Sequence, residues 1–290
     1  MVEAPAKVNL TLRVLGVRDD GYHDVESVVA AVALFDTLVF EPAEGVHLAC
    51  QGIDVPAGEG NLVMAAARVL ADACRPARGA RIRLEKRIPP GRGFGGGSSD
   101  AAATLVGLNA LWEGGLARQD LAGLGARVGS DVPLFLGSPI AVMRGRGDRT
   151  EAVSAGSPWW LVLAWPDYAM PTSAVYAAYD RLGVSRDGRP SATAVLACLA
   201  GPACGARPFL VNDLEAAADS IRCGRFDVRG CLERSGAAAV GMTGSGSAYF
   251  AVADTEAEAN RLAEAVRAAG AETHVATLLA DGKNQQEKPS

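Results

Sequence analysis

Near the start of the chain Val8, Leu10, Leu12 and Val14 alternate with Lys7, Asn9, Thr11 and Arg13. A period of two marks a strand with one buried face, which puts Lys7 and Asn9 on the side away from the apolar one. Asp19-Asp20-Gly21 supplies a turn, and further strands are expected over residues 25–34, 37–40 and 46–50. Asn61 can cap a helix reaching about residue 73, with a strand at 80–85 behind it. Pro89-Pro90 stops that strand. A helix is then expected from Ser98-Ser99, because Ala101, Leu105, Leu108 and Trp112 fall at helical spacing. Gly114-Gly115 ends it, and residues 118–128 form another.

Residues 151–158 are small and polar and read as a linker. Beyond them the pattern predicts a strand at 160–164, helices at 172–181, 191–199, 213–220 and 222–234, and strands at 237–242 and 248–252. A helix at 256–269 and a strand at 273–277 close the series. Strands and helices mix in both halves, which gives an α+β fold class in two domains, 1–152 and 153–280. Residues 281–290 make a polar tail.

Composition narrows the function. Hydrophobic residues are 49% and charged residues 21% of the chain, the balance of a globular protein. A net charge of −5 withholds the basic surface that nucleic-acid binding requires. Cys50, Cys74, Cys198, Cys204, Cys223 and Cys231 form no C-x-x-C pair, and His23, His47 and His274 complete no zinc pattern, so the cysteines are expected as small buried filler. The first residues lack a basic-then-apolar signal, and the longest apolar runs, 28–35 and 159–165, fall short of the ~18 residues of a membrane span. A cytoplasmic protein with neither nucleic-acid nor membrane partners is expected.

The densest chemical signal lies in Pro89-Pro90-Gly91-Arg92-Gly93-Phe94-Gly95-Gly96-Gly97-Ser98-Ser99, where five of the seven residues from 91 to 97 are glycine. Such a run is entropically costly, and it suits places where φ must be positive or a ligand must approach the backbone. The helix behind it presents unpaired N–H groups and the positive end of its dipole, a site suited to a di- or triphosphate. The alternative is a flexible surface loop capped by Ser98 or Ser99. There is no G-K-[S/T] ending of a Walker loop. Gly91, Gly93 and Gly96 match G-x-G-x-x-G, but Pro89-Pro90 separates them from the strand and no βαβ unit opens there.

Phosphoryl transfer from ATP needs positioning, charge neutralisation and a proton acceptor. Lys7 and Asn9 share one strand face, where a lysine is either functional or merely solvated. Asp131, in Gly129-Ser130-Asp131-Val132-Pro133, reads either as a base or as an N-cap with Pro133 in the first turn. His23, after Gly21-Tyr22, reads as a turn histidine. Gly244-Ser245-Gly246-Ser247 is a plain hairpin or a second close-approach loop.

Three segments together resemble the GHMP kinases: residues 4–10, the glycine loop through Ala102, and Thr243-Gly244-Ser245-Gly246-Ser247, in order and at matching spacing. Asp20-Gly21-Tyr22-His23, the Gly-Gly-Gly-Ser-Ser-Asp-Ala-Ala run at 95–102, Ser130-Asp131-Val132-Pro133 and Asn212-Asp213-Leu214-Glu215 point to the branch acting on a cytidine diphosphate-linked methylerythritol. The resemblance spans about residues 4–277. It implies a ribosomal-S5-like N-terminal domain, a ferredoxin-like C-terminal domain, and an active site in the cleft between them. It further implies Lys7 and Asp131 as the catalytic pair, ATP on residues 89–99 with Mg²⁺ shielding its phosphates, and Tyr22, His23 and Tyr176 around a cytosine. Asn9 and Thr172 would lie near the methylerythritol or diphosphate. Arg92 and Phe94 depart from the family, which more often has a small residue and Leu or Met there, and they bear on the adenine pocket's shape. Other GHMP kinases, acting on mevalonate, homoserine or a sugar, would have no use for the Gly-Tyr-His segment. A non-catalytic binding relative would have no need of both Lys7 and Asp131.

Overall fold

Strand β1 (Val2–Val17) runs antiparallel beside β2 (His23–Ala43) and is buried on both faces for most of its length. The register of the pair shifts between Asn9 and Thr11, a bulge that turns the following residues over. Val8 and Leu10 therefore join one core, and Leu12 and Val14 join the other. The even alternation in the sequence conceals this turn. Lys7 and Asn9 lie opposite Val8 and Leu10, as the alternation implies, but at 6% and 3% exposure they are buried, which removes the solvated alternative for Lys7. The computed structural model describes residues 1–153, 159–183, 190–199, 201 and 203–279. The expected tail and most of the expected linker lie outside them.

Where the sequence predicts two strands, β2 is one. The join falls at Asp36, which is fully buried. Its carboxylate accepts from Lys86 Nζ at 2.5 Å and from the N–H groups of Arg87 and Ile88 at 2.6 and 2.8 Å. A charge in mid-strand reads as a break because these partners are distant in sequence. One edge of β2 carries β1. The other is shared by β4 (Gly79–Lys86), against residues 37–43, and β5 (Ile140–Gly145), against 25–30. β3 (Val46–Gly52) joins β4 in parallel, and β6 (Arg149–Ala152) lies beyond β5. The sequence pattern does not reveal β5 or β6, since an apolar run of four residues has no measurable period.

Helix α1 (Leu62–Cys74) is capped by Asn61, whose side chain accepts from Val63 N–H. α2 (Gly96–Leu111) packs on β1 and β2, and α3 (Arg118–Val128) packs on α1 and α2. A second, antiparallel sheet has the order β10–β7–β9–β8, built from β7 (Trp160–Trp165), β8 (Ala239–Met242), β9 (Tyr249–Ala253) and β10 (Glu272–Thr277). Around it lie α4 (Thr172–Leu182), α5 (Glu215–Arg222), α6 (Val228–Arg234) and α7 (Glu256–Ala268).

The expected helix at 191–199 is a 3-10 turn, Ala192–Cys198. The expected helix at 222–234 is shortened because Cys223 and Gly224 are left-handed, with φ of 52° and 73°. The fold is α+β, as predicted. Ala6, Val8, Leu10 and Val28 of the first sheet pack in one cluster with Leu161, Leu163 and Phe250 of the second. Cys231 alone of the cysteines with described side chains is buried, while Cys223 is exposed, so uniform filler is not their role. No helix among the described residues is long and apolar enough to cross a membrane.

Candidate active site

The outer edge of β1 assembles the site. An unpaired strand edge offers a row of N–H and C=O groups, and here distant segments take them up. Lys7 N–H donates to the carbonyl of Phe94 at 2.9 Å, and Asn9 N–H to Thr243 Oγ1 at 3.1 Å. Further along, Leu12 N–H reaches the carbonyl of Val211 at 2.7 Å and Val14 N–H the Asp213 carboxylate at 2.9 Å. Of the three segments that carry the resemblance, the glycine loop and the Thr243 turn are thus zipped to the first, which is β1 itself. Asn212 locks the arrangement, since its Nδ2 donates to the carbonyls of Met242 (2.9 Å) and Gly244 (2.8 Å).

Close approach explains the glycines. A methyl group on Gly93, whose φ is 91°, would lie 2.3 Å from the Thr243 carbonyl oxygen. On Gly95, φ 71°, it would press on the Lys7 stem and on Phe135 at 3.0 Å. Glycine is required where two chain segments and a lysine share this space. Helix α2 starts at Gly96, two residues before the expected Ser98. Its first described return bond is Ser99 N–H to the Gly95 carbonyl at 3.0 Å, which leaves the amides of 96–98 facing outward from the helix end. The loop's own side chains are turned away. Phe94 is buried against Trp165, ring centroids 5.6 Å apart, and Arg92 donates to the Asp167 carbonyl at 2.9 Å. Phe94 therefore anchors the loop from beneath and offers a ligand only its backbone.

A cavity of about 720 Å³ opens beside these elements. Lys7, Asn9, Gly93 and Gly95 line it together with Asp131 and Thr172. Lys7 Nζ donates to Asn9 Oδ1 at 2.5 Å. Burial pushes the Lys7 ammonium below its ordinary value, and the Asp131 carboxylate pulls it back up. The 3-10 turn Pro133–Leu136 begins after Val132, so Asp131 is not its cap. Thr172 and Ser245 share a hydrogen bond of 2.9 Å.

The far end of the cavity is aromatic. His23 and Tyr176 rings lie 4.6 Å apart at 34°, and His23 Nε2 meets Asp180 Oδ1 at 2.8 Å. Burial first, then the nearby Asp131 charge, push the Tyr176 phenol up to about 12, so it stays a neutral donor. Tyr22 is exposed at the rim with the Arg146 guanidinium 3.6 Å above its ring. All the residues predicted for substrate contact thus line one cavity. Sequence reasoning missed Arg146, Asp180, Ser27 and Asn212. Only Asn212 carried a signal, in the Asn-Asp-Leu-Glu segment.

Under the glycine loop lies a buried charge cluster. Lys86 Nζ contacts Asp36 at 2.5 Å and Asp100 at 2.6 Å, and a methyl on Gly96 would meet Lys86 Nζ at 2.9 Å. Burial above all, with Asp36 adding and Lys86 opposing, pushes the Asp100 carboxyl up to about 8. One Asp100 oxygen and the Ser99 hydroxyl are buried without a partner among the described residues. No group of three or more His, Cys, Asp or Glu that could hold a metal occurs among the described residues.

Residues 61–138 match the GHMP kinases N terminal domain, and residues 226–272 match GHMP kinases C terminal. The 4-diphosphocytidyl-2-C-methyl-D-erythritol kinase of Pelotomaculum thermopropionicum is 41% identical over 87% of this chain and 89% of its own. That of Symbiobacterium thermophilum is 40% identical over 92% and 95%. A crystal structure of 4-(cytidine 5'-diphospho)-2C-methyl-D-erythritol kinase superposes with a TM-score of 0.83 at 39% identity, covering 97% of this chain and all of that one (100%).

Proposed function

The chain belongs to the GHMP kinases, and from that premise we propose that it moves the γ-phosphoryl group of ATP to the 2-hydroxyl of 4-diphosphocytidyl-2-C-methyl-D-erythritol. The products are the 2-phosphate and ADP, a step of isoprenoid precursor synthesis by the non-mevalonate route. The observation that carries the reading is the meeting of the glycine loop, the Thr243 segment and Asp131 around one buried lysine.

In this mechanism the backbone amides of residues 91–98 and the dipole of α2 hold the ATP phosphates. Residues 89–99 as a whole form the nucleotide cradle. The substrate's cytosine lies between His23, Tyr176 and Tyr22, with Asp180 fixing the imidazole and Tyr176 donating from a neutral phenol. Arg146 brings a positive charge to a cavity whose substrate carries a diphosphate. Thr172, and the second Nδ2 hydrogen of Asn9, face the methylerythritol portion. Asp131 accepts the proton as the 2-oxygen attacks the γ-phosphorus and the bond to ADP breaks. Lys7 orients that carboxylate and offsets the developing charge.

Mg²⁺ fits this donor set, because it binds through one or two protein oxygens with the phosphates rather than in an all-protein cage. The unpartnered Ser99 hydroxyl at the head of α2 would supply such an oxygen, and the ion would neutralise phosphate charge.

ADP release should depend on the cytidyl diphosphate substrate. Faster release with mevalonate or homoserine would remove the substrate assignment. Asp131→Ala is expected to lower kcat by at least ~10², and near-normal turnover in that variant would remove Asp131 as the base.

A further inference from the structure

Lys7 and Asn9 are held by a hydrogen-bond chain whose direction is fixed at its far end. Ser27, on β2, is completely buried. Its hydroxyl donates to the Thr11 carbonyl in a short hydrogen bond, while Val28 N–H donates to the Thr11 hydroxyl at 3.0 Å. A carbonyl can only accept and a hydroxyl has one hydrogen, so Ser27 Oγ has nothing left to donate. Its contact with Asn9, at 2.8 Å, must therefore be donated by Asn9 Nδ2. That choice turns Asn9 Oδ1 toward Lys7 Nζ at 2.5 Å. Thr243 has one hydroxyl hydrogen for either of two acceptors, and given to Asn9 Oδ1 it would favour the same amide orientation. Thr243 Oγ1 accepts from Asn9 N–H at 3.1 Å and lies nearer the Gly93 carbonyl (3.1 Å) than Asn9 Oδ1 (3.4 Å). With the amide reversed, two N–H donors would face an ammonium and an oxygen would face an oxygen, at positions where Asn9 and Ser27 are both buried.

We infer that Ser27 is a positioning residue for the transfer: through the polarity of the Asn9 amide it holds Lys7 charged and aimed at the reaction centre. Ser27 is fully buried and does not line the cavity. The inference rests on the role given to Lys7 above, but the Ser27–Asn9–Lys7 order is a separate claim. Among the described residues Asp131 is the charged group that bears on Lys7; the one charge of the glycine loop, Arg92, turns away to the Asp167 carbonyl at 2.9 Å, and the Gly244 turn and Phe135 carry none.

The test reads Lys7 directly, by the pH dependence of its reductive methylation measured on the Lys7 peptide by mass spectrometry. Ser27→Ala should lower the midpoint by about one pH unit and kcat by about tenfold, with the KM values changed less than about twofold. In an Asn9→Asp background, which presents oxygen on both sides, Ser27→Ala should shift the midpoint by less than about 0.3 units. An unshifted midpoint in Ser27→Ala, or equal shifts in both backgrounds, would overturn the inference. The kinase reading would survive either result, since it falls only if Lys7→Met turns over normally. If Ser27→Ala does not fold, the wild-type protein decides: the Asn9 amide protons should show nuclear Overhauser contacts to Ser27 Hβ stronger than to Lys7 Hε. The reverse order would end the proposal.

Discussion

At the scale of single residues, burial rather than identity sets the chemistry. Lys7 is a strand lysine like many others until its surroundings are known. Desolvation disfavours its charged form and Asp131 restores part of it. The charged form is the useful one, so activity should fall with rising pH before the ordinary lysine value of 10.5 is reached. Replacing Asp131 by Asn removes the opposing pull. The Lys7 methylation midpoint should then move further down, and an upward move would contradict the assigned pairing. Lys7, Asp131, Tyr22 and His23 were legible in the sequence because each stands in a segment that carries the resemblance, whereas Tyr176 followed only from the position the resemblance implies. Arg146, Asp180 and Ser27 were not, because what makes them matter is a ring, an imidazole and an amide brought near by folding. The cysteines mark the opposite limit, since composition predicted buried filler and the fold exposes Cys223.

At the scale of elements, the glycine loop was the clearest signal and the strands beside it the least clear. Gly93 and Gly97 look equivalent in the sequence, but the structure separates them. Gly93→Ala forces a Cβ into the Thr243 carbonyl at positive φ. It should cost more than about 1 kcal/mol in urea unfolding and raise KM for ATP. Gly97→Ala meets only Leu62 at 3.6 Å inside α2 and should leave stability unchanged or raise it by up to about 1 kcal/mol.

The cluster under the loop predicts a pH trend. The Asp100 carboxyl sits at about 8 in the folded protein against an ordinary 3.8, so between those values the folded state holds the extra proton. Its stabilising contribution is complete below about pH 4 and is lost as pH rises toward 8, at most about 1.4 kcal/mol per pH unit. Asp100→Asn should flatten urea-derived stability between pH 5 and 8, and an unchanged slope would show that the carboxyl does not titrate there. The bulge in β1, the unbroken β2 and the short β5 and β6 escaped the sequence reading for one reason. Each depends on a partner strand, and periodicity records only a residue's own neighbours.

At the scale of the whole molecule, the two sheets share a core through Ala6, Val8 and Leu10 on one side and Leu161, Leu163 and Phe250 on the other. Variants keeping only Trp112, beside the first sheet, or only Trp165, in the second, should report the same urea midpoint. Separate midpoints would show that the sheets unfold independently. Phe94→Ala should lower stability by about 3 kcal/mol and weaken ATP binding together, because one side chain fills that core and seats the loop.

The outer edge of β1 has a consequence for synthesis. Asn9 and Thr243 are 234 positions apart, and a ribosome adding about 5–20 residues per second separates their appearance by roughly ten to fifty seconds. During that wait the nascent strand shows a bare polar margin to every other chain in the crowd. Its safekeeping in the growing cell thus falls to whatever shelters it until Thr243 has been added.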